Sequence, residues 1–292
     1  MASPQKPSLT SSSTTAAERS EARRPALAAR YTHGQMQQTA TRLAAELLCC
    51  AAAFTLQAQD PKESGPTALL ITYRCNPEKR PDLRNIMRQE GLQRLESYRR
   101  NAILANFRVL LSRYVDSNNW DMMLLLSFPD YTAVEKWKRV EHESPAGLPP
   151  AVLSMATSIG TYPLDLMRRK AVEDTPPQPV YLVIPYTYSV AMPAYLQYVD
   201  DYVTPQFDGW MQEGVLAQYD IFLQRYGAGR PWDALFFLEY KDDESLGQRE
   251  KVVAKVRQRL QANPKWKTIA DNKQSIRVEK EAIVADELRL PR

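Results

Sequence analysis

Two short stretches of the chain carry the same four side chains in the same order, with a turn-rich segment in the middle. The first stretch has Arg113, Tyr114, Trp120 and Asp121, and the second has Arg225, Tyr226, Trp232 and Asp233. Guanidinium and carboxylate groups can hold a charged ligand, and tyrosine and tryptophan rings offer flat apolar surfaces that each end in a polar atom. The pattern is therefore compatible with a binding site for a small aromatic molecule.

A structural role for the same residues is the competing interpretation. If Tyr114 and Trp120 flank a hairpin loop, Arg113 and Asp121 become directly opposed neighbours on adjacent strands. An ion pair and an aromatic pair of this kind contribute about 0.2–1 kcal/mol each and help to set the register of the hairpin. We favour the structural role in both copies.

Nine side chains that lie on or beside the predicted strands are candidate ligand-binding residues. They are Arg74, Ser112, Tyr114, Trp120, Tyr186, Tyr188, Gln224, Tyr226 and Trp232. Alternation along the hairpins places hydroxyl, amide and aromatic groups on one face, and such a mixed face suits the wall of a cavity. We predict that these residues line a moderately apolar pocket between sheet layers. The alternative is that the tyrosines bury their rings and keep their hydroxyls at the rim.

Composition argues against several other kinds of site. The net charge of +4 comes from 38 basic and 34 acidic residues that are scattered along the chain, so nucleic acid is not an expected partner. His33 and His142 are far apart, and Cys49, Cys50 and Cys75 lack the spacing of metal ligands. No glycine-rich phosphate loop or Ser-His-Asp motif is present. The sequence therefore predicts neither a metal nor a cofactor.

A duplication explains why these residues occur twice. Segments 102–128 and 214–240 align without a gap at an offset of 112 residues, which is the separation of Trp120 and Trp232. Most aligned positions are identical or exchange one apolar residue for another. Self-similarity at a fixed offset indicates that one structural unit occurs twice.

Each copy has the pattern of a strand, a helix, a hairpin of two strands, a second helix and a final strand. β-rich runs open the copies at Leu69–Thr72 and Tyr181–Ile184, and Pro81 and Pro193 suit the first turns of the helices that follow. The later elements are predicted as hairpin turns at 115–119 and 227–231, helices at 131–141 and 243–260, and strands at 165–171 and 276–285. This βαββαβ order is that of the ferredoxin-like unit.

The middle strands indicate why the two copies belong together. Met122–Leu126 and Ala234–Leu238 are apolar on both faces, so helices can cover one face and a second sheet must cover the other. We predict an α+β fold of two tandem ferredoxin-like repeats that pack sheet to sheet as a pseudo-dimeric barrel. The predicted divisions are a leader at 1–58, a first repeat at 59–172, a Pro-rich linker at 173–179 and a second repeat at 180–292.

The duplicated βαββαβ order resembles the dimeric α+β barrel superfamily, which includes NIPSNAP-like, EthD-like and antibiotic-biosynthesis-monooxygenase-like proteins. The resemblance covers roughly residues 67–288 and implies an intrachain pseudo-dimer, an arrangement that a monomer can form. Cofactor-independent oxygenases of this superfamily need only a pocket and a few polar groups. Its haem-binding members use a histidine as an iron ligand. Because only His142 follows the predicted leader, haem is not favoured.

The first 58 residues are predicted to be a leader. Residues 1–35 are rich in Ser, Thr, Ala and Arg and lack apolar periodicity, which is typical of disorder. A basic segment at 36–42, an apolar run at 43–56 and the small residue Ala58 then have the order of a secretory signal, with a run too short to span a bilayer. An organellar transit peptide and an ordinary buried helix are the alternatives.

These observations predict an exported small-molecule-binding protein, periplasmic or secreted, whose ligand is small and hydrophobic or aromatic. No integral membrane segment is expected in the mature chain. Two other classes stay open: a cofactor-independent monooxygenase or isomerase-like enzyme for an aromatic or polyketide-like substrate, and a structural or partner-binding protein with a filled core. No motif specifies a reaction or a ligand.

Overall fold

The computed structural model describes residues 67–174 and 176–290. These residues belong to one compact unit, 59–292. The predicted leader and signal peptide at 1–58 lie outside the described residues, and Cys49 and Cys50 lie there with them. No helix in the described ranges combines the length and the apolar character that crossing a membrane requires.

The first half of the described chain begins with a strand and a helix that is interrupted once. Its elements are β1 (Thr67–Cys75), α1 (Arg80–Ile86), α2 (Leu92–Arg100), β2 (Asn106–Ser112), β3 (Met122–Ser127), α3 (Tyr131–Glu143), α4 (Pro150–Leu153) and β4 (Ala156–Ala171). A π-helical turn, Met87–Gly91, links α1 to α2. Pro81 lies in the first turn of α1, as predicted, where its missing N–H is not needed.

The second half repeats this plan. Its elements are β5 (Val180–Tyr188), α5 (Met192–Tyr198), α6 (Thr204–Gln212), β6 (Leu216–Gln224), β7 (Ala234–Tyr240), α7 (Asp243–Gly247), α8 (Arg249–Leu260), α9 (Pro264–Asn272), β8 (Arg277–Glu279) and β9 (Ile283–Glu287). The π-helical turn Val199–Val203 lies at the position that corresponds to Met87–Gly91. The predicted helix at 243–260 is divided into α7 and α8, and the predicted strand at 276–285 into β8 and β9.

Eight antiparallel strands close into a barrel. Their order is β7-β6-β4-β1-β3-β2-β9-β5, and the pairing of β5 with β7 completes the ring. β8 pairs with β5 beyond the end of β9. The predicted α+β class and the predicted barrel are confirmed at this level.

The strands of the two halves have the same internal order. It is β4-β1-β3-β2 in the first half and β9-β5-β7-β6 in the second, which is fourth, first, third, second in each case. The halves meet edge to edge, through β4 with β6 and through β2 with β9. A four-stranded sheet alone would expose two unpaired edges, so closure of the barrel satisfies the backbone groups of both edges.

Apolar side chains form three clusters. One fills the interior of the barrel and receives residues from both halves, such as Leu70 and Phe222. The other two lie between the barrel wall and the helices of each half. β3 is apolar on both faces for this reason: Met123 belongs to the interior cluster, whereas Met122 and Leu124 belong to the cluster under the helices.

The register of the hairpins differs from the prediction by one residue. Leu111 pairs with Met122, whereas the prediction opposed Arg113 to Asp121, and the second hairpin shows the same shift. Because side chains alternate along a strand, a shift of one residue places the two members of each predicted pair on opposite faces. The long connection between β2 and β3 does not fix the register. After Ser112 the backbone pairs with the second half, where the Arg113 N–H donates to the carbonyl of Val284 on β9.

The correspondence between the halves also changes by one residue in the first strand. Leu69 pairs with Leu126 and Leu182 pairs with Leu238, so Leu69 corresponds to Leu182 and not to Tyr181 as predicted. The helices and π-helical turns keep the offset of 112. The connection between β5 and α5 is therefore one residue shorter than the connection between β1 and α1.

Candidate functional site

The repeated aspartates fasten each hairpin to the first strand of its own half. Asp121 Oδ2 accepts a hydrogen bond from the backbone N–H of Cys75 at 2.9 Å, and Asp233 Oδ2 accepts one from the backbone N–H of Tyr188 at 3.1 Å. The backbone N–H of each aspartate also donates to a carbonyl of the same strand, at 2.8 Å in both halves. These contacts are structural.

The repeated arginines join the two halves. Arg113 Nη2 lies 2.6 Å from Asp286 Oδ1, and Arg225 Nε donates to Asp165 Oδ2 at 3.2 Å. Because Asp286 lies on β9 and Asp165 on β4, each arginine crosses to the last strand of the other half. The backbone N–H of each arginine donates to the same neighbouring strand, at 2.9 and 3.0 Å. Equivalent residues thus stabilise both seams of the barrel.

The prediction of ion pairs within the hairpins is wrong. Arg113 and Asp121 have different partners, and so do Arg225 and Asp233. The one-residue shift in register turns the arginines toward the seams and leaves the aspartates beside the first strands.

A cavity of about 500 Å³ opens at one end of the barrel. Leu70, Met123, Val183 and Leu235 form its apolar floor, and all four belong to the interior cluster. Two of them come from each half. The cavity therefore lies where the two halves face each other inside the barrel.

Two tryptophans from equivalent positions line the wall of this cavity. Trp232 is 8% exposed, and Trp120 is half-buried. Tyr162 packs against Trp232 with ring centroids 4.9 Å apart and 40° between the ring planes. Gly160 makes room for this tyrosine, because a Cβ at position 160 would lie 2.8 Å from the Tyr162 Oη. The wall therefore offers flat aromatic surfaces.

The rim of the cavity is polar and carries more positive than negative charge. Arg74, Lys280 and Glu281 are exposed there. The Arg74 guanidinium donates to a backbone carbonyl of the first hairpin loop at 2.9 Å, which fixes its position. Arg230 lies beside the wall, with its guanidinium 5.4 Å from the centroid of the Tyr162 ring. The entrance thus has a cationic bias.

Three of the nine predicted binding residues line this cavity, namely Arg74, Trp120 and Trp232. Tyr114 and Tyr226 do not, contrary to the prediction, because they are 70% and 65% exposed. Each tyrosine follows an arginine that crosses a seam, and this path directs the tyrosine away from the interior.

Tyr186 and Tyr188 face the helices of the second half and not the interior. Side chains alternate along β5, and Val183 on that strand faces the cavity, so the even-numbered tyrosines must face outward. Tyr186 donates its hydroxyl hydrogen to Glu279 at 3.0 Å, and Tyr188 stacks on Tyr195 with centroids 4.2 Å apart. The sequence alone does not specify this parity, so the observed place of both tyrosines differs from the predicted one.

Ser112 and Gln224 end β2 and β6 and also lie outside the cavity. Ser112 Oγ accepts a hydrogen bond from Arg80 at 2.9 Å. Gln224 Nε2 donates to the carbonyl oxygen of Trp232 at 2.5 Å. Gln224 therefore supports the backbone of a lining residue without contacting the cavity.

Sequence reasoning missed Gly160 and Tyr162 because it began the fourth strand at 165, whereas β4 begins at Ala156. Gly160 and Pro163 are residue types that are unfavourable in the interior of a strand. The β-branched residues of 157–161 were a signal in its favour. A longer strand would have placed Tyr162 opposite β1.

A second cavity of about 410 Å³ lies beside a cluster of charged residues. Arg108 and Asp220 occupy equivalent positions of the two halves and form an ion pair at 2.8 Å. The Tyr181 hydroxyl lies 2.8 Å from Glu239 Oε2 and 3.1 Å from Glu287 Oε2, and it can donate to only one of them. The charges are therefore satisfied within the protein.

Burial and neighbouring charges act in opposite directions on the acids of this cluster. Burial alone would raise the pKa of Asp220, but Arg169 and Arg108 outweigh it and hold that pKa below its usual value. Burial raises the pKa of Glu239 in spite of the nearby Arg108. A network that neutralises itself in this way gives no indication of a missing ligand.

Within the described ranges, no group of three or more His, Cys, Asp or Glu side chains could hold a metal ion. His142, the only histidine there, is exposed in the last turn of α3. Haem binding through histidine requires an imidazole that reaches the iron in an enclosed site. The residues present do not fit a haem site of that kind.

No family model and no curated protein matches this chain, but solved structures do. A candidate monooxygenase from Fusobacterium nucleatum subsp. nucleatum is 12% identical, with a TM-score of 0.50 over 77% of this chain and 94% of that chain. An anthrone oxidase-like protein is 13% identical, with a TM-score of 0.48 over 80% and 93%. A mutant chlorite dismutase from Candidatus Nitrospira defluvii is 11% identical, with a TM-score of 0.48 over 78% and 93%.

At these identities the likeness concerns the fold and not the activity. The match at a TM-score of 0.50 extends over most of both chains. The fold of this chain is therefore similar to that of the candidate monooxygenase over most of both chains.

Proposed function

We propose that this protein binds a small, flat, partly apolar molecule with an acidic group in the cavity at the end of the barrel. The observation that carries the proposal is the pair Trp120 and Trp232, which occupy equivalent positions of the two halves and line one cavity. A ligand in this cavity contacts both rings. Flat aromatic walls above an apolar floor are typical of sites for aromatic molecules.

The proposal includes an interpretation of the whole chain as a tandem duplication. Residues 59–172 and 180–292 are two ferredoxin-like repeats, joined by 173–179, that form an intrachain pseudo-dimer. The supporting observations are the shared strand order, the equivalent seam contacts of Arg113 and Arg225, and the corresponding π-helical turns. Each repeat then contributes one tryptophan to a single site.

The charges at the rim favour an anionic substituent on the ligand. Arg74 and Lys280 oppose a single lining carboxylate, Glu281. Lys280 forms no ion pair with any residue that the structure describes. Because exposed ion pairs contribute about 1 kcal/mol or less, the apolar floor and the aromatic wall supply most of the affinity.

The composition of the lining favours binding over catalysis. Among the described residues that line the cavity, there is no histidine or cysteine, and Glu281 is an exposed carboxylate. General acid–base catalysis needs a group whose pKa lies near the working pH and that reaches the reacting atoms. The volume of about 500 Å³ also favours a ligand over a core filled by side chains.

The experiment compares two dyes with the same fused and pendant rings. 8-Anilinonaphthalene-1-sulfonate carries an anionic group, and N-phenyl-1-naphthylamine does not. We expect the full-length chain to bind the anionic dye more tightly, and Trp232→Phe to weaken that binding roughly threefold to tenfold because one large ring is lost from the wall. The increase in dye fluorescence measures both affinities.

The matched control is Trp137→Phe. Trp137 lies under the helices of the first half, where it packs against Tyr98 with centroids 5.5 Å apart, and it does not line the cavity. Its substitution should leave the affinity for both dyes unchanged. If Trp137→Phe weakens dye binding and Trp232→Phe does not, the ligand site lies elsewhere and the proposal is wrong.

We also propose that the protein is exported and loses its leader near Ala58. The support is the order of basic, apolar and small residues at 36–58. The mature chain would keep Cys75 alone, and that thiol is free and buried. N-terminal sequencing of the mature protein tests this: a chain that keeps residues 1–58 in the cell contradicts it.

A further inference from the structure

The two halves serve as controls for each other, and one region differs between them in chemical character. In the second half, side chains of β5, α5 and β8 meet under the helices. They are Tyr186, Tyr188, Tyr195, Tyr198 and Arg277. The corresponding residues of the first half are Tyr73, Cys75, Leu83, Ile86 and Ala156. The second half thus places one cation and three additional hydroxyls where the first half has apolar or thiol side chains.

The correspondence of Arg277 to Ala156 follows from the strand pairing. Tyr188 pairs with Arg277 as Cys75 pairs with Ala156. The first half shows that this scaffold folds with a small apolar residue at the position. A half-buried guanidinium is therefore not a requirement of the fold, and the free-energy cost of removing it from water must be offset by something specific to the second half.

The Arg277 guanidinium is enclosed by aromatic rings. Its Cζ lies 3.9 Å from the centroid of the Tyr186 ring and 5.7 Å from that of Tyr198. Nη1 is inaccessible to solvent and makes no hydrogen bond with the described residues. None of the described carboxylates forms an ion pair with this arginine, since Glu279 accepts from the Tyr186 hydroxyl instead. The neighbours of this half-buried cation are therefore aromatic rings and tyrosine hydroxyls, without a carboxylate in direct contact.

The hydrogens of two tyrosine hydroxyls near this cation also lack acceptors. Tyr195 is 0% exposed and Tyr198 is 4% exposed, and neither hydroxyl has an acceptor within the described ranges; the Tyr198 oxygen interacts with the Arg277 guanidinium, which can only donate. Burial raises the pKa of both, that of Tyr198 to about 12, and the charge of Arg277 opposes the rise. Both groups therefore keep their protons at neutral pH and lie within the field of the guanidinium. They are available as donors.

We propose that Arg277, Tyr195 and Tyr198 form a binding site for a small planar oxyanion, such as a carboxylate or nitrate group. The anion supplies the missing negative charge and accepts hydrogen bonds from three donors that are otherwise unpaired. Tyr186 and Phe236 pack on each other with ring centroids 4.6 Å apart, and the Arg277 Cζ lies 3.9 and 5.9 Å from these centroids, so a small anion is expected beside them. This site faces the helices, whereas the cavity at the end of the barrel lies on the inner face of β5.

The test is the thermal unfolding of the full-length chain in sodium nitrate and in sodium gluconate at equal ionic strength. Nitrate is small and planar, and gluconate is too large for an enclosed site. A ligand that binds only the native state raises the melting temperature. We expect a rise that is specific to nitrate and saturates with its concentration. Arg277→Met should abolish this rise.

Substitution of the two tyrosines distinguishes anion binding from a purely structural role of their hydroxyls. Tyr195→Phe and Tyr198→Phe should each weaken the affinity for nitrate roughly tenfold, because each removes one hydrogen bond to an ion. In gluconate the same variants should melt at the same temperature as the unsubstituted chain or higher, because each removes a buried hydroxyl without a partner.

Arg249→Met is the matched control. Arg249 lies 5.7 Å from the ring centroid of Trp210 in the same half, but it is paired with Glu250. The rise in nitrate should persist in this variant. If the unsubstituted chain shows no rise specific to nitrate, or if Arg277→Met keeps it, the guanidinium is only a cation–π element of the core and the proposal is wrong. The dye experiment on the cavity at the end of the barrel does not depend on the outcome of the nitrate experiment.

Discussion

Equivalent residues of the two halves share one contact and differ in another. Asp121 and Asp233 both accept a hydrogen bond from the first strand of their half. Asp121 in addition lies 3.3 Å from Arg80 Nε, with only 9% of its side chain exposed. Asp233 forms no ion pair with any described residue. Comparing the two aspartates therefore separates the contribution of the ion pair to stability from the contribution of the backbone hydrogen bond.

We predict that Asp121→Asn lowers the free energy of unfolding more than Asp233→Asn does. The amide oxygen can still accept from the backbone in both variants, but only the first variant removes the carboxylate that pairs with a half-buried guanidinium, that of Arg80. We expect a loss of about 1–3 kcal/mol for Asp121→Asn and less than about 1 kcal/mol for Asp233→Asn. Urea unfolding followed by circular dichroism measures both, and equal losses would contradict the assignment.

Residue types and their spacing predict the two tryptophans of the candidate site, but not the partners and directions of the residues beside them. Trp120 and Trp232 were identified because they recur at one offset within similar segments. The partners of Arg113 were not, because Asp286 is remote in sequence and becomes a neighbour only when the barrel closes. Tyr114 was misplaced for the same reason, since its direction depends on that closure.

Helices α6 and α8 cross at a glycine. A Cβ at position 209 would lie 2.4 Å from Val256 Cγ1, and Val256 is fully buried. Real Cβ atoms do not approach other atoms so closely, so Gly209 allows the two helices to contact each other at this point. Gly247, at the end of α7, has no atom within 4 Å of the corresponding position.

We predict that Gly209→Ala destabilises the protein by about 1–3 kcal/mol, because overpacking outweighs the gain in helix propensity of about 1 kcal/mol. Val256→Ala in the same chain should recover part of the loss. Gly247→Ala is the control and should be neutral or stabilising by up to about 1 kcal/mol. Thermal unfolding of the four chains measures these effects. A stable Gly209→Ala variant would show that the helices do not cross here.

Periodicity and turn residues predicted most elements, but not how they pair. The runs that became β1, β3, β5 and β7 were recognisable by their apolar and β-branched residues. The first part of β4 was missed because Gly160 and Pro163 interrupt it. The hairpin registers were shifted by one residue, since the connections after β2 and β6 are too long to fix them. Interactions across the seams decide the register instead.

The whole molecule places two candidate sites on opposite faces of β5. Val183 faces the cavity at the end of the barrel, and Tyr186 faces the cluster under the helices. The first site uses equivalent residues of both halves, whereas the second exists in one half only.

The five tryptophans of the chain report on these regions separately. Trp120 and Trp232 line the barrel-end cavity, whereas Trp137, Trp210 and Trp266 lie under the helices. Fluorine NMR of the chain labelled with 5-fluorotryptophan resolves them, and single substitutions by phenylalanine assign the signals. This labelling tests where a ligand binds without assuming which residue holds it.

The most direct measurement is a titration of the labelled chain with 8-anilinonaphthalene-1-sulfonate. We predict that the signals of Trp120 and Trp232 shift together with the fraction of dye bound, and that those of Trp137, Trp210 and Trp266 stay in place. Shifts confined to the latter three, or dye binding that moves none of the five signals, would contradict a ligand site shared by the two halves.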